Sequence, residues 1–73
     1  MAEQIADILY HNNKGYIYRI SYGTLKQAQD YARRLRKRTG LGTAIIKTID
    51  GIYPGARIPF KGTVYSVYLR WAD

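Results

Sequence analysis

Cysteine is absent from the chain and histidine occurs once. Together these exclude disulfides, thiol nucleophiles and any thiolate or multi-histidine metal site. Acidic residues are scarce: Glu3, Asp7, Asp30, Asp50 and Asp73 are scattered, with no pair that reads as a catalytic dyad. The two serines, Ser21 and Ser66, have no neighbour able to act as base, and His11 sits beside Asn12-Asn13 in a turn-like context. Long apolar runs are missing as well. No stretch approaches the roughly 18 residues of a membrane span, and residues 1–4 carry neither the basic region nor the apolar segment of an export signal. These absences predict a cytoplasmic, non-enzymatic protein with no cofactor and no metal.

What is present is positive charge. Twelve Lys and Arg face five Asp and Glu, a formal +7 on 73 residues, which favours an anionic partner: nucleic acid, an acidic protein face or membrane phosphates. The alternative is that the charge serves solubility alone. The length predicts a single domain, 1–73, with a small core.

One helix is legible. Leu25, Ala28, Tyr31, Ala32 and Leu35 form an apolar stripe at helical spacing. Thr24 and Gln27 fit a capping box in which the Gln27 side chain returns to the Thr24 amide, and Gly40 and Gly42 tolerate positive φ after the last turn. The helix is predicted over Leu25–Thr39.

Strands flank it. Residues 16–22 alternate Tyr16, Tyr18, Ile20 and Tyr22 on one face with Ile17, Arg19 and Ser21 on the other. Residues 43–49 and 63–71 make two more. In the latter, Tyr65, Val67, Leu69 and Trp71 are expected to face the core, and Val64, Ser66, Tyr68 and Arg70 to face away. Residues 5–10 read as a strand joined to 16–22 through Asn12-Asn13-Lys14-Gly15, with a short helix as the alternative. The predicted fold is α+β: a small, mainly antiparallel β-β-α-β-β sheet with one helix on one face. Residues 51–62 hold both prolines and three of the seven glycines. Such a connection either serves function or folds Ile52, Tyr53, Ile58 and Phe60 back over the core.

Arg33-Arg34-Leu35-Arg36-Lys37-Arg38 places five cations in six residues. At about 100° per residue, Lys26, Arg33 and Lys37 share an arc opposite the apolar stripe, and Arg34 extends it. One or two such cations would complement the helix dipole at about 0.3–1 kcal/mol each. Five crowded together repel one another, which points to a binding face. Arg19 and Arg70 lie among the eight tyrosines and extend this surface across the sheet, and Tyr53 completes the partner-binding candidates.

Thr24-Leu25-Lys26-Gln27-Ala28 with Ala32, then Gly42-Thr43, Ile46, Thr48 and Gly51, resembles the middle of a small phage anti-CRISPR protein. That protein belongs to the group inhibiting multi-subunit type I surveillance complexes. The resemblance covers residues 24–53. It implies a non-enzymatic inhibitor that acts in the host cell, docks on the effector's backbone subunits and prevents target DNA from hybridising with the guide. The docking role would pass to Arg33 and Arg34 and, by proximity, to Lys26 and Lys37. Imitation of DNA is excluded by charge, since a mimic must be acidic. The alternative is a nucleic-acid-binding module: residues 15–22 have a general likeness to a strand of the three-stranded DNA readers at integrase N-termini. In that reading Arg and Lys hold phosphates while Tyr and Arg meet bases. A small structural or ribosome-associated protein also fits the composition, without a motif behind it.

Overall fold

The structure, a computed structural model, describes residues 2–71. The elements run β1 (Glu3–Gln4), β2 (Ile8–His11), β3 (Lys14–Tyr22), α1 (Leu25–Thr39), β4 (Thr43–Ile49), β5 (Gly51–Ile52) and β6 (Thr63–Arg70). Four strands form one antiparallel sheet in the order β2-β3-β6-β4, so β2 and β4 are its edges. The two-residue strands β1 and β5 pair in parallel beside it. Setting that short pair aside, the expected α+β order of two strands, a helix and two strands holds.

The N-terminal segment is a hairpin. Asn12 and Asn13 both adopt positive φ, 52° and 64°, which a two-residue turn requires to match the twist of its strands. Lys14 and Gly15, expected within the turn, instead belong to β3.

The helix begins where Thr24 accepts the Gln27 amide at 3.3 Å. The Gln27 side chain does not return to the Thr24 amide; its Oε1 accepts from the Thr24 hydroxyl at 3.0 Å. Gly40 ends the helix at φ 74°, donating its N–H to the Arg36 carbonyl at 2.8 Å. Ala28, Ala32 and Leu35 are buried, whereas Leu25, expected in the same stripe, stays exposed in the first turn. Two alanines one turn apart let the helix backbone approach β6 closely, and Val67 fits beneath them with no exposure.

Two departures from simple alternation shape the sheet. Tyr18 pairs with Tyr68 but Ile20 pairs with Val67, so Arg19 is an extra residue in β3 and the strand bulges there. Before the bulge, Tyr16 and Tyr18 turn away from the helix, toward Ile5, Val64 and Tyr68. After it, Tyr22 faces the helix and its ring meets that of Tyr31 at 5.8 Å. The four residues expected on one face are therefore divided between two.

The second departure is in β6. Val64, Ser66, Val67 and Tyr68 are all buried, so the set expected to face away also lies in a core. Ile5, Leu9, Tyr53 and Phe60 build that second layer on the side away from α1. Ser66 is tolerated at zero exposure because its hydroxyl bonds Ser21 Oγ at 2.7 Å, which bonds Tyr18 Oη at 2.8 Å.

The 51–62 connection folds back over this layer. Tyr53 and Phe60 stack with ring centres 4.5 Å apart, and Pro54-Gly55 form a turn closed by Ala56 N–H to the Tyr53 carbonyl at 3.0 Å. Asp50 clasps its base: its carboxylate accepts the Gly62 N–H at 2.7 Å and its own N–H donates to the Gly62 carbonyl at 2.9 Å. Ile58, counted among the covering residues in the fold-back alternative, remains 81% exposed.

Tyr68 anchors the second layer by donating its hydroxyl to the Ala6 carbonyl at 2.7 Å. Burial, then the neighbouring Tyr18 and Asp7, raise its pKa above the ordinary 10.0. A phenol with its pKa raised in the folded state contributes fully below its unfolded value and loses that contribution as pH climbs through the folded one. Unfolding free energy from urea titrations should therefore fall as pH rises above about 10, the ordinary phenol value. Tyr68→Phe should flatten that part of the fall and cost about 1–2 kcal/mol at neutral pH, from the carbonyl left without its donor.

Candidate interaction surface

The helix presents its cations as the spacing predicts. Ala28, Ala32 and Leu35 fix the buried side, which turns Lys26, Arg33 and Lys37 outward, and all three are exposed. Lys37 follows Lys26 by eleven positions, so the row is about 16 Å long at a rise of about 1.5 Å per residue. Arg33 reaches Asp30 at 2.7 Å across an exposed i,i+3 pair, worth at most a few tenths of a kcal/mol. Arg36 belongs elsewhere: it donates to the Thr43 hydroxyl at 2.8 Å and ties the helix to β4.

Two contacts orient the helix about its axis. Arg36 on one flank touches β4, and Tyr31 on the other touches Tyr22 of β3. Arg34 and Arg38 share the Tyr31 flank and therefore lie on the β3 side, both exposed. Arg19, the extra residue of the bulge, is exposed as well.

The remaining two candidates lie apart. Arg70 pairs with Tyr16 across β3 and β6, on the face turned away from α1, and is half-buried beside Gly42. Tyr53 is half-buried against Phe60 in the same second layer. The helix thus gathers Lys26, Arg33, Arg34 and Lys37, with Arg19 on its own strand, but not Arg70 or Tyr53. Of the strand tyrosines, Tyr68 is buried, Tyr16, Tyr18, Tyr22 and Tyr65 are half-buried, and Tyr10 of β2 is exposed.

On the face away from the helix, a cavity of about 240 Å³ opens between the sheet's edges, lined by Leu9, Tyr10, His11, Tyr16, Ala44 and Ile46. Its walls are mostly apolar, and His11 is their one imidazole. Among the described residues, no three of His, Cys, Asp or Glu come together as metal ligands would. Also among them, no helix is long and apolar enough to cross a membrane.

An apolar group missed by sequence reasoning lies on the helix side of the sheet. Ile8, Ile17 and Leu69 stand in one row across β2, β3 and β6. Ile8 is 46% exposed, Ile17 43% and the adjacent Tyr10 68%. Trp71 completes the group, meeting Tyr10 edge-on at 5.9 Å with its indole laid over Gly15. The signal was present in the alternation of Ile8 with Tyr10 and of Gly15 with Ile17.

Compared with protein-family models, curated proteins and solved structures, the chain finds no match.

A Cβ built on Gly15 would overlap the ring carbons of the Trp71 indole. Gly15→Ala should therefore lift the indole from the strand, shift Trp71 fluorescence to longer wavelength and destabilise the protein by about 1–3 kcal/mol in a denaturant titration. Gly23→Ala, where nothing approaches within 4 Å, is the matched control.

Proposed function

We propose that this protein is a non-enzymatic binding protein that docks the outer face of α1 on an acidic protein surface and inhibits a CRISPR–Cas effector complex by blocking its binding of target DNA. The observation that carries the reading is the row Lys26, Arg33 and Lys37, extended by Arg34, on a helix whose opposite side is committed to the sheet. Concentrated charge on a rigid element steers association with an oppositely charged surface and sets its orientation. The resemblance of residues 24–53 to anti-CRISPR proteins of the type I group supplies the nature of the partner. A protein partner is favoured over nucleic acid because five of the six strand tyrosines that would stack on bases are half-buried or buried, Tyr10 alone being exposed.

The test is co-purification with representative type I effector complexes. The wild-type protein should remain with the complex and abolish its binding of target DNA. The triple variant Lys26→Glu, Arg33→Glu, Lys37→Glu should fold normally and associate about 10–10³-fold more slowly. Full target binding by every effector in the presence of the wild-type protein overturns the reading. In a parallel titration with short duplexes, an affinity that falls with salt at a slope of about 0.9 per phosphate would turn the assignment to nucleic acid.

A further inference from the structure

The helix covers only part of its side of the sheet. Four strands about 4.8 Å apart place the outer strand axes about 14 Å from one another. A helix with its side chains is about 10–12 Å across and covers roughly two strands. The contacts of α1 fall chiefly on β6, with β4 and β3 to either side. Over β2 and the outer side of β3 the sheet is bare, and there lie Ile8, Tyr10, Ile17 and Trp71, with Leu69 at the inner margin.

The space left has the width of one more helix. Packed helices lie about 8–10 Å apart, the distance of two strands, so a second helix beside α1, which sits chiefly on β6, would rest over β2 and its seam with β3. Its surroundings are of one sign. Arg34 and Arg38 line the flank of α1 on this side, and Arg19 projects at the bulge of β3. No acid shares the face among the described residues. Asp7 precedes β2 on the alternate face, beside Tyr68; Asp30 is held by Arg33 on the outer side of α1; Glu3 and Asp50 belong to the β1–β5 end.

We infer that the bare half of this sheet face is a docking groove for an acidic amphipathic helix of a partner protein, its apolar side on Ile8, Ile17, Leu69 and Trp71 and its carboxylates facing Arg19, Arg34 and Arg38. The surface borders the row Lys26, Arg33 and Lys37 at Arg34, which lies between the two, and the inference stands without Lys26, Arg33 or Lys37 having any role. A second copy of this chain is the poorer occupant, because each copy carries +7. A single strand of nucleic acid is also a poorer fit, since aliphatic side chains occupy most of the floor and the indole face is laid on Gly15.

Trp71 is the chain's one tryptophan and lies in the groove, so its fluorescence reports occupancy directly. The probes are a set of synthetic helical peptides with a leucine stripe and glutamate elsewhere, varied in length and stripe width, a matched set with lysine for glutamate, and an oligothymidylate. At about 0.15 M salt, where surface charges are screened beyond about 8 Å, the acidic peptides should shift Trp71 emission to shorter wavelength. They should also perturb the amide resonances of Ile8, Ile17 and Leu69. Ile17→Glu, and independently Ile8→Glu at the exposed edge, should weaken that binding about tenfold or more. Arg34→Glu with Arg38→Glu should shift preference to the lysine peptides, while Lys26→Glu with Lys37→Glu should leave it with the acidic ones. The inference falls if no acidic peptide perturbs these resonances, if Ile17→Glu and Ile8→Glu bind as the wild type does, or if the oligothymidylate occupies the groove in preference to every peptide.

Discussion

Strand β6 is required to serve two cores at once, and the rest of the molecule follows from that. Val67 has no exposed surface beneath Ala28 and Ala32, while Tyr68, its neighbour in the chain, is buried in the opposite direction and bonded to Ala6. A strand lying in the interior of a sheet can do this only if material covers both sides. On one side the cover is a helix with alanines at its closest approach. On the other it is assembled from Ile5, Leu9, Tyr53 and Phe60, brought together from the N-terminal segment and the 51–62 connection, which are remote in sequence. In a chain of 73 residues neither cover can be generous, and each leaves part of the sheet open.

The bulge at Arg19 reconciles β3 with this demand. Tyr16 and Tyr18 contribute rings to the layer away from the helix, and one residue of slippage then turns Tyr22 to Tyr31. Ser21 is left opposite Ser66, where the three hydroxyls satisfy one another in a place that admits little water. The polar residues of the sheet interior are thereby accommodated without charge, and the cations are left to the helix surface and the strand margins.

How far the sequence could be read differs between elements for physical reasons. The extent of the helix was legible because its stripe, its threonine cap and its glycine stop are all local features, although Leu25 stays outside the buried stripe and Gln27 does not return to the Thr24 amide. The hairpin was legible because an Asn-Asn pair with positive φ is a local requirement too. The bulge was not: Arg19 between Tyr18 and Ile20 looks like an ordinary alternating residue, and the slip is fixed only by the partner strand. Ser66 marked a solvent face for the same reason, since its hydroxyl partners lie far away in the chain. The strands β1 and β5 are too short to leave any periodic trace. Of the candidate surface, the row on α1 was readable from spacing alone. The separation of Arg70 and Tyr53 from it required knowing which layer each strand residue joins.

The open margins of the sheet have a bearing on how this protein behaves when crowded. β2 and β4 each have one paired neighbour, so each offers unpaired main-chain groups that an adjacent molecule could use to prolong the sheet. On β4, Lys47 stands between Ile46 and Thr48 and is exposed, while β2 is short and ends at a sharp turn. An ammonium at mid-strand would have to be desolvated by any newcomer, and like charge on every copy opposes the approach. The same cationic excess that suits the proposed acidic partner also opposes fibrous self-stacking, which would couple recognition to colloidal behaviour in a chain with little mass to spare for either.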